Sequence, residues 1–222
     1  MEETFRLAEH FVSINGEGRC AGELALFLRF ACCNLRCDWC DTAWACGKDA
    51  PCESAGMPQL MKIAEDAAQA GVRNVTLTGG EPLLQEQIGM LIRQLRHTLG
   101  LRVEIETNGA VPLAPFRDCG GVFTMDYKLP SSKMEQHMCT ENFALLDASD
   151  CVKFVCGSRE DVFRAKEIAA QYRPQCPLYL SPVFGRIDPA EIVDIMKEQH
   201  MGNFRLQLQL HKFIWDPTAR GV

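Results

Sequence analysis

A chain of 222 residues, 47% of them hydrophobic, can bury a full core yet is short for two ordinary domains, so one domain spanning 1–222 is expected. A formal charge of −6 with a pI near 5.4 provides no basic footprint for nucleic acid and favours a small-molecule substrate. Acidic residues at positions 2 and 3, where an export signal carries positive charge, and the lack of any apolar stretch of membrane-spanning length argue against export and against a membrane partner; the expected setting is cytoplasmic.

Twelve cysteines would suit a small secreted disulfide scaffold, but apolar periodicity runs through the whole chain, so reduced thiols, some of them metal ligands, are expected. The apolar run Glu23–Phe30 suits a buried strand. Residues 57–70 put Leu60, Ala64, Ala67 and Ala68 on one helical face with Gly71 as a stop, and Val75–Thr78 reads as the next strand. Leu84, Ile88, Leu91, Ile92, Leu95 and Leu99 predict an amphipathic helix ended by Gly100, followed by a strand at Arg102–Glu106.

Val122–Met125 and Val152–Val155 are further strands, and Ser158 caps a helix to about Tyr172. After a strand at Leu178–Leu180, Asp188, Pro189 and Glu191 combine an N-cap, a first-turn proline and a capping-box glutamate, starting a helix that runs to about Met201. Phe204–Leu208 closes the series. Such alternation predicts an α/β fold: a partial, TIM-like barrel of about six or seven mainly parallel strands, with helices missing after Glu106 and Met125 and ligands at the carboxyl ends of the strands.

Cys33, Cys37 and Cys40 have the spacing C-x3-C-x2-C, which lets three thiolates of one loop converge on a metal centre. Structural zinc takes a fourth Cys or His, whereas a cubane iron–sulfur cluster held by three thiolates leaves one iron open. Choosing Cys32 instead would change the first spacing, so Cys33 is taken, and the other nine cysteines read as packing residues. Cys46 and Cys52 lie near enough in sequence for an auxiliary site, but no repeated ligand spacing supports one. Arg29 sits inside an apolar run and needs an anion, either an internal carboxylate or a ligand.

These residues resemble the radical S-adenosylmethionine (SAM) superfamily and, within it, the 7-carboxy-7-deazaguanine synthase family. The likeness covers nearly the whole chain and rests on Phe11–Gly18, Phe27–Phe30 and Cys33–Thr42, in order and spacing. It implies a radical SAM core with a [4Fe–4S] cluster on Cys33, Cys37 and Cys40. It implies SAM held by Gly79, Gly80 and Glu81 (the GGEP element), by Thr107 in the E-T-N-G segment, and by Asp126, Tyr127 and Lys128. Ser181, Pro182, Val183 and Phe184 form a further SAM loop by the same likeness, and Trp39 packs near adenine or in the core. Read alone, Glu81 could accept from an ammonium and Asn108-Gly109 is a tight turn.

The same resemblance places a pterin, 6-carboxy-5,6,7,8-tetrahydropterin, against Ile14, Asn15, Gly16, Glu17, Thr78 and Arg29. Arg29 is its carboxylate clamp, Gln209 and His211 close the site or form a surface strand, and Thr42 is a ligand of Mg²⁺. The implied reaction generates a 5′-deoxyadenosyl radical, abstracts hydrogen from C6, contracts the ring and releases ammonia. A homodimer and a flavodoxin- or ferredoxin-type electron donor are further implications. Asn15, Cys32 and Tyr127 depart from the family's usual glutamine, glycine and proline. A glycyl-radical activating enzyme shares the cysteine loop, but Ser13–Gly18 and Thr42 argue against it; a zinc-binding interaction module would need one of the spare cysteines.

Overall fold

The computed structural model describes residues 4–222; the acidic residues 2 and 3 invoked against an export signal lie outside them. Seven strands run parallel to one another: β2 (Leu24–Phe30), β4 (Asn74–Gly79), β5 (Arg102–Thr107), β6 (Val122–Tyr127), β7 (Cys151–Cys156), β8 (Leu178–Pro182) and β9 (Phe204–Leu206). β1 (Phe5–Ile14) and the short β3 (Glu53–Ala55) add an antiparallel flank, giving one nine-stranded sheet of order β3-β1-β2-β4-β5-β6-β7-β8-β9. Among the described residues β3 and β9 are its two edges and do not pair, so the barrel is partial and open, as expected.

Helices α1 (Met57–Gln69), α2 (Ile88–His97), α3 (Arg159–Tyr172) and α4 (Pro189–Glu198) cover one face of the sheet, and α5 (His211–Ile214) follows β9. The crossovers after β5 and β6 carry only 3-10 turns, the reduced helix count that the sequence predicts. Each parallel strand alternates between two environments. One face places Leu28, Leu77, Ile105, Phe123 and Phe154 in the core beneath the helices. The other presents Arg29, Thr78, Glu106, Thr124, Asp126 and Lys153 to a cavity.

Several details differ from expectation. β1 was not predicted because a register shift between Leu7 and Glu9 breaks its period-two pattern. The second helix starts at Ile88, not near Leu84: the Glu81 carboxylate caps a 3-10 turn at Pro82–Leu84 by accepting from the Leu83 N–H at 3.1 Å, and Leu84 is left exposed. Asp188 does cap α4, accepting from Ala190 N at 2.8 Å, but the Glu191 carboxylate pairs with Arg159 at 2.8 Å across to α3.

Asp161, fully buried in the first turn of α3, fixes this helix to the loop beyond β6. Its carboxylate accepts from Ser131 N at 3.0 Å and Gly157 N at 2.7 Å, and the Ser131 hydroxyl in turn accepts from the Trp39 indole at 3.2 Å. Asp161→Ala leaves both backbone donors without their partner and is expected to cost about 2 kcal/mol or more. A lowered urea midpoint at unchanged slope is the expected reading; an unchanged midpoint would show that the two bonds contribute nothing net.

Candidate active site

The carboxyl ends of β2 and β4–β8 surround a cavity of ≈ 850 Å³. On one wall, β2 runs through Ala31 into the cysteine loop. Cys32 there adopts the left-handed conformation, φ 80°, which explains why glycine suits this position. Its thiol accepts from Arg6 Nη1 at 2.5 Å, while Arg6 Nε reaches Cys52 at 3.4 Å. Cys33, Cys37 and Cys40 are free thiols that all line the cavity. The Cys33 sulfur accepts from Leu35 N at 3.4 Å and Asn108 Nδ2 at 3.5 Å, donors that stabilise negative charge on a ligating thiolate.

Among the described residues no three His, Cys, Asp or Glu side chains close on one point as a single ion requires; a cubane, with each thiolate on its own iron, spans more widely. Three thiols on one cavity wall fit a cluster, and a buried, unpartnered acceptor in the same lining, Asp126 Oδ1, fits a ligand that brings a donor. A fourth sulfur, Cys46, stands 3.9 Å from Cys40 and also lines the cavity. Cys52 is exposed and turned to Arg6, so the two spare cysteines serve different neighbours.

The loop after β4 packs backbone to backbone on the cysteine loop. Gly80 N donates to Phe30 O and Glu81 N to Cys32 O, both at 2.8 Å. A Cβ on Gly79 would sit 2.2 Å from Phe30 O and one on Gly80 2.0 Å from Cys32 O, so no side chain fits at either position. The glycines thus serve the contact between two loops as well as the cavity wall. Glu81 is turned away from the cavity. Its carboxylate accepts from Leu83 N, Thr107 Oγ1 and Asn108 N at 3.1, 2.9 and 2.7 Å, and burial pushes it up to about 7 against those three donors. The expected ammonium acceptor is a buried strut joining the ends of β4 and β5.

A chain of charges crosses the polar face. Glu17 pairs with Lys153 at 3.0 Å, Lys153 lies 3.9 Å from Asp126, and Asp126 pairs with Lys128 at 2.7 Å. The Lys128 ammonium stands 5.1 Å over the Trp39 ring. Burial pushes the Glu17 carboxyl up, but Lys153 foremost, then Ser181 and Gln209, bring it down to about 2. Burial likewise lowers Lys153, but Glu17 and Asp126 outweigh it and raise the ammonium overall. Arg29 faces the same cavity with Nε 2.7 Å from Glu9 and its guanidinium 5.9 Å over Phe11. Its terminal nitrogens make no hydrogen bond among the described residues.

The C-terminal segment straps the 14–18 loop down. Gln207 grips Gly18 at both backbone groups, accepting from N and donating to O at 2.8 Å each, and Leu210 N donates to Gly16 O at 3.1 Å. Gln209 Nε2 reaches Glu17 at 3.2 Å, and His211 lies so close to Gly16 that a Cβ there would be 2.3 Å from its Nδ1. The segment 207–209 is therefore a strap over the site and not a surface strand, and β9 ends at Leu206.

Of the expected site residues, Ile14, Gly16, Glu17, Arg29, Trp39, Thr42, Thr78, Gly79, Gly80, Thr107, Asp126, Lys128, Val183, Phe184, Gln209 and His211 line the cavity with the three cysteines. Five do not. Besides Glu81, Asn15 lies behind the wall, accepting from Thr76 at 2.7 Å with Nδ2 unpartnered. Tyr127 points to the helix side between Phe143 and Phe154, as its place one residue after Asp126 in β6 requires. Ser181 is buried and donates to Glu17 at 2.7 Å, and Pro182 lines a neighbouring apolar pocket. Sequence reasoning passed over Lys153, and of the E-T-N-G segment it took only Thr107 as a site residue, while Glu106 and Asn108 also line the cavity. Lys153 carries the signal that marked Arg29, a cation inside an apolar run, and Glu106 accepts from Thr78 at 2.7 Å beside it.

The family model described as the radical SAM superfamily matches residues 28–198. A sheet of this topology with three cysteines at its carboxyl end, matched over that span, makes the chain a radical SAM protein. A protein of Clostridium acetobutylicum named 7-carboxy-7-deazaguanine synthase is 47% identical over 98% of this chain and 99% of its own length. One of the same name from Chlorobaculum tepidum is 35% identical over 100% and 99%. The chain belongs to the 7-carboxy-7-deazaguanine synthase family of radical SAM enzymes. In fold, it is similar to the solved structure titled QueE from Escherichia coli, with a TM-score of 0.69 at 21% identity over 92% of this chain and 93% of that one.

Two consequences of the cysteine loop are open to measurement. Cys33→Ala, Cys37→Ala and Cys40→Ala are each expected to abolish iron and visible absorbance after anaerobic reconstitution, since three ligands leave no redundancy. Cys32→Gly should keep both and, by relieving a left-handed residue, raise the melting temperature by about 2 °C. A fall on Cys32→Gly would mean that the Arg6 contact outweighs the backbone strain.

Proposed function

We propose that the chain converts 6-carboxy-5,6,7,8-tetrahydropterin to 7-carboxy-7-deazaguanine with loss of ammonia, in the route to queuosine-type deazapurines. The observation that supports this best is the polarity of the cavity, with the free end of the Arg29 guanidinium and the anchored Glu17 carboxylate both on its wall. The relatives' shared name supplies the product. When bound, the cluster and SAM supply a 5′-deoxyadenosyl radical that takes hydrogen from C6 of the pterin.

The chain's own residues orient and shield. Arg29 grips the pterin carboxylate through its terminal nitrogens while Glu9 fixes the plane of the fork. Glu17, Gly16 and Ile14 meet the pyrimidinone edge, and Thr78 lies beside it. Gly79, Gly80, Thr107, Asp126, Lys128, Val183 and Phe184 hold SAM against Trp39. The strap through Gln209 and His211 excludes water and fixes the reacting groups. Thr42 lines the cavity with its hydroxyl 3.6 Å from the Cys40 sulfur and would provide one oxygen for Mg²⁺, a hard ion that takes oxygen ligands. The setting is cytoplasmic, as a homodimer supplied with electrons by a flavodoxin- or ferredoxin-type protein. Among the described residues no helix is long and apolar enough to cross a membrane.

Anaerobic incubation of reconstituted protein with dithionite, SAM and the carboxypterin, followed by mass analysis, tests the reaction. Deoxyadenosine without the deazaguanine would keep radical SAM chemistry and discard this substrate. Arg29→Lys keeps the charge and loses the fork, so carboxypterin binding is expected to weaken about tenfold. A pterin lacking the carboxylate should be almost insensitive; equal losses for both ligands would mark Arg29 as solely the partner of Glu9. Thr42→Ala should raise the Mg²⁺ needed for half-maximal rate and Thr42→Ser largely restore it, whereas a wild-type rate indifferent to Mg²⁺ chelation would remove the metal from this account.

A further inference from the structure

Two cations, Arg29 and Lys153, lie within strands and face the polar side of the sheet, and of these two the reaction outlined above gives work to Arg29 only. Lys153 lies mid-strand in β7, in register with Asp126 of β6 and Tyr179 of β8. Its side chain is 9% exposed and lines the cavity, while its neighbours Val152 and Phe154 enter the core. Taking an ammonium out of water is costly unless it is paired, and its pairs are both acids of the site: Glu17 at 3.0 Å and Asp126 at 3.9 Å.

The acceptor count of Glu17 shows what this pairing achieves. A carboxylate offers about four lone-pair positions. Ser181 takes one on Oε1, and Lys153 and Gln209 take two on Oε2, which leaves one on Oε1. A protonated Glu17 would turn an oxygen into a donor and disturb this arrangement. Glu17 lines the cavity, whereas Ser181 lies behind it, so the remaining position is the one available to a ligand.

We propose that Lys153 is a positioning residue of the reaction: it holds Glu17 as an oriented anion whose spare lone pair accepts an N–H of the pterin's amino-pyrimidinone edge. This rests on the placement of the pterin against the 14–17 segment. The charges that face the Glu17–Lys153 pair are Asp126 and Lys128 from the β6 end, Glu104 and Glu106 from β5 and His211 from the strap. With Lys153 present, burial is overcome and Glu17 stays ionised down to about pH 2. Without it, burial is opposed only by the bonds from Ser181 and Gln209, so Glu17 moves upward and pterin affinity is expected to fall as pH falls.

The test is the KM for carboxypterin of reconstituted holoenzyme between about pH 6 and pH 8.5, where an ordinary carboxylate is fully ionised. Wild type and the charge-keeping Lys153→Arg are expected to share one profile. Lys153→Gln should show a KM raised about tenfold at the acid end, recovering toward the alkaline end, with kcat less affected. A rise equal at all pH values, or no rise, overturns the proposal. Glu17→Gln separates the two layers: if its KM is that of wild type, the pterin does not meet Glu17 and the underlying placement fails. If Glu17→Gln raises KM while Lys153→Gln does not, only the role of Lys153 fails. Should Lys153→Gln not fold, the double variant with Glu17→Gln removes both charges and carries the test. Its KM should equal that of Glu17→Gln alone, and an additional loss would show that Lys153 acts independently of Glu17.

Discussion

The period-two alternation of parallel strands constrains everything else in this molecule. A strand such as β7 must present Val152 and Phe154 to the helices and Lys153 to the cavity, because successive side chains point to opposite faces. The parallel register then aligns the polar positions across strands: Arg29 beside Thr78, Glu106 beside Thr124, Asp126 beside Lys153. A slip of one residue in β7 would carry the Lys153 ammonium under the helices and the Phe154 ring into the cavity. Register and site chemistry are thus one constraint, and the charges tolerate burial because opposite signs meet between adjacent strands.

The cysteine loop depends on a second, smaller constraint. Its entry is fixed by backbone hydrogen bonds from Gly80 and Glu81 to Phe30 and Cys32, with no room for a side chain between them. Glu81 completes the joint by tying this loop to Thr107 and Asn108, and Asn108 in turn donates to the Cys33 sulfur. A motif of glycines and a glutamate beside a cluster therefore acts partly through the second loop it organises. Backbone bonds set the direction in which the three thiols leave β2, so the spacing of the cysteines has a fixed frame to work in.

What could be read from the sequence follows the same physics. Strands β2 and β4–β8 and helices α1, α3 and α4 show in the apolar pattern because each buries one continuous face. β1 stays hidden because its bulge at Leu7–Glu9 breaks the period, and β3 because three edge residues carry no pattern. Motif residues were harder to sort. Glu81, Tyr127 and Ser181 sit within site motifs yet serve as strut, core ring and carboxylate anchor, since a motif fixes position along the chain and not the direction of each side chain. Alternation was enough to separate Asp126 from Tyr127, and the apolar surroundings of Lys153 were as clear a signal as those of Arg29. The grip of Gln207 on Gly18 joins residues 189 positions apart, and no local pattern encodes it.

The two cations within the strands, Arg29 and Lys153, also differ in what they leave free, and that difference gives the cavity a direction. Glu9 engages only Nε of Arg29, so a fork of fixed orientation is left with its terminal nitrogens unspent. A carboxylate meeting it does not have to order a flexible side chain first, which lowers the entropic cost of binding. The nearest oxygen partner of Lys153 is Glu17, so on that side the group left with spare capacity is an acceptor. A ligand with an anionic carboxylate at one end and N–H donors at the other matches both ends at once. Reversed, it would set carboxylate against carboxylate and donors against guanidinium, and in a site shielded from water both mismatches are heavily penalised. For such a ligand, orientation would follow from how each cation is already paired.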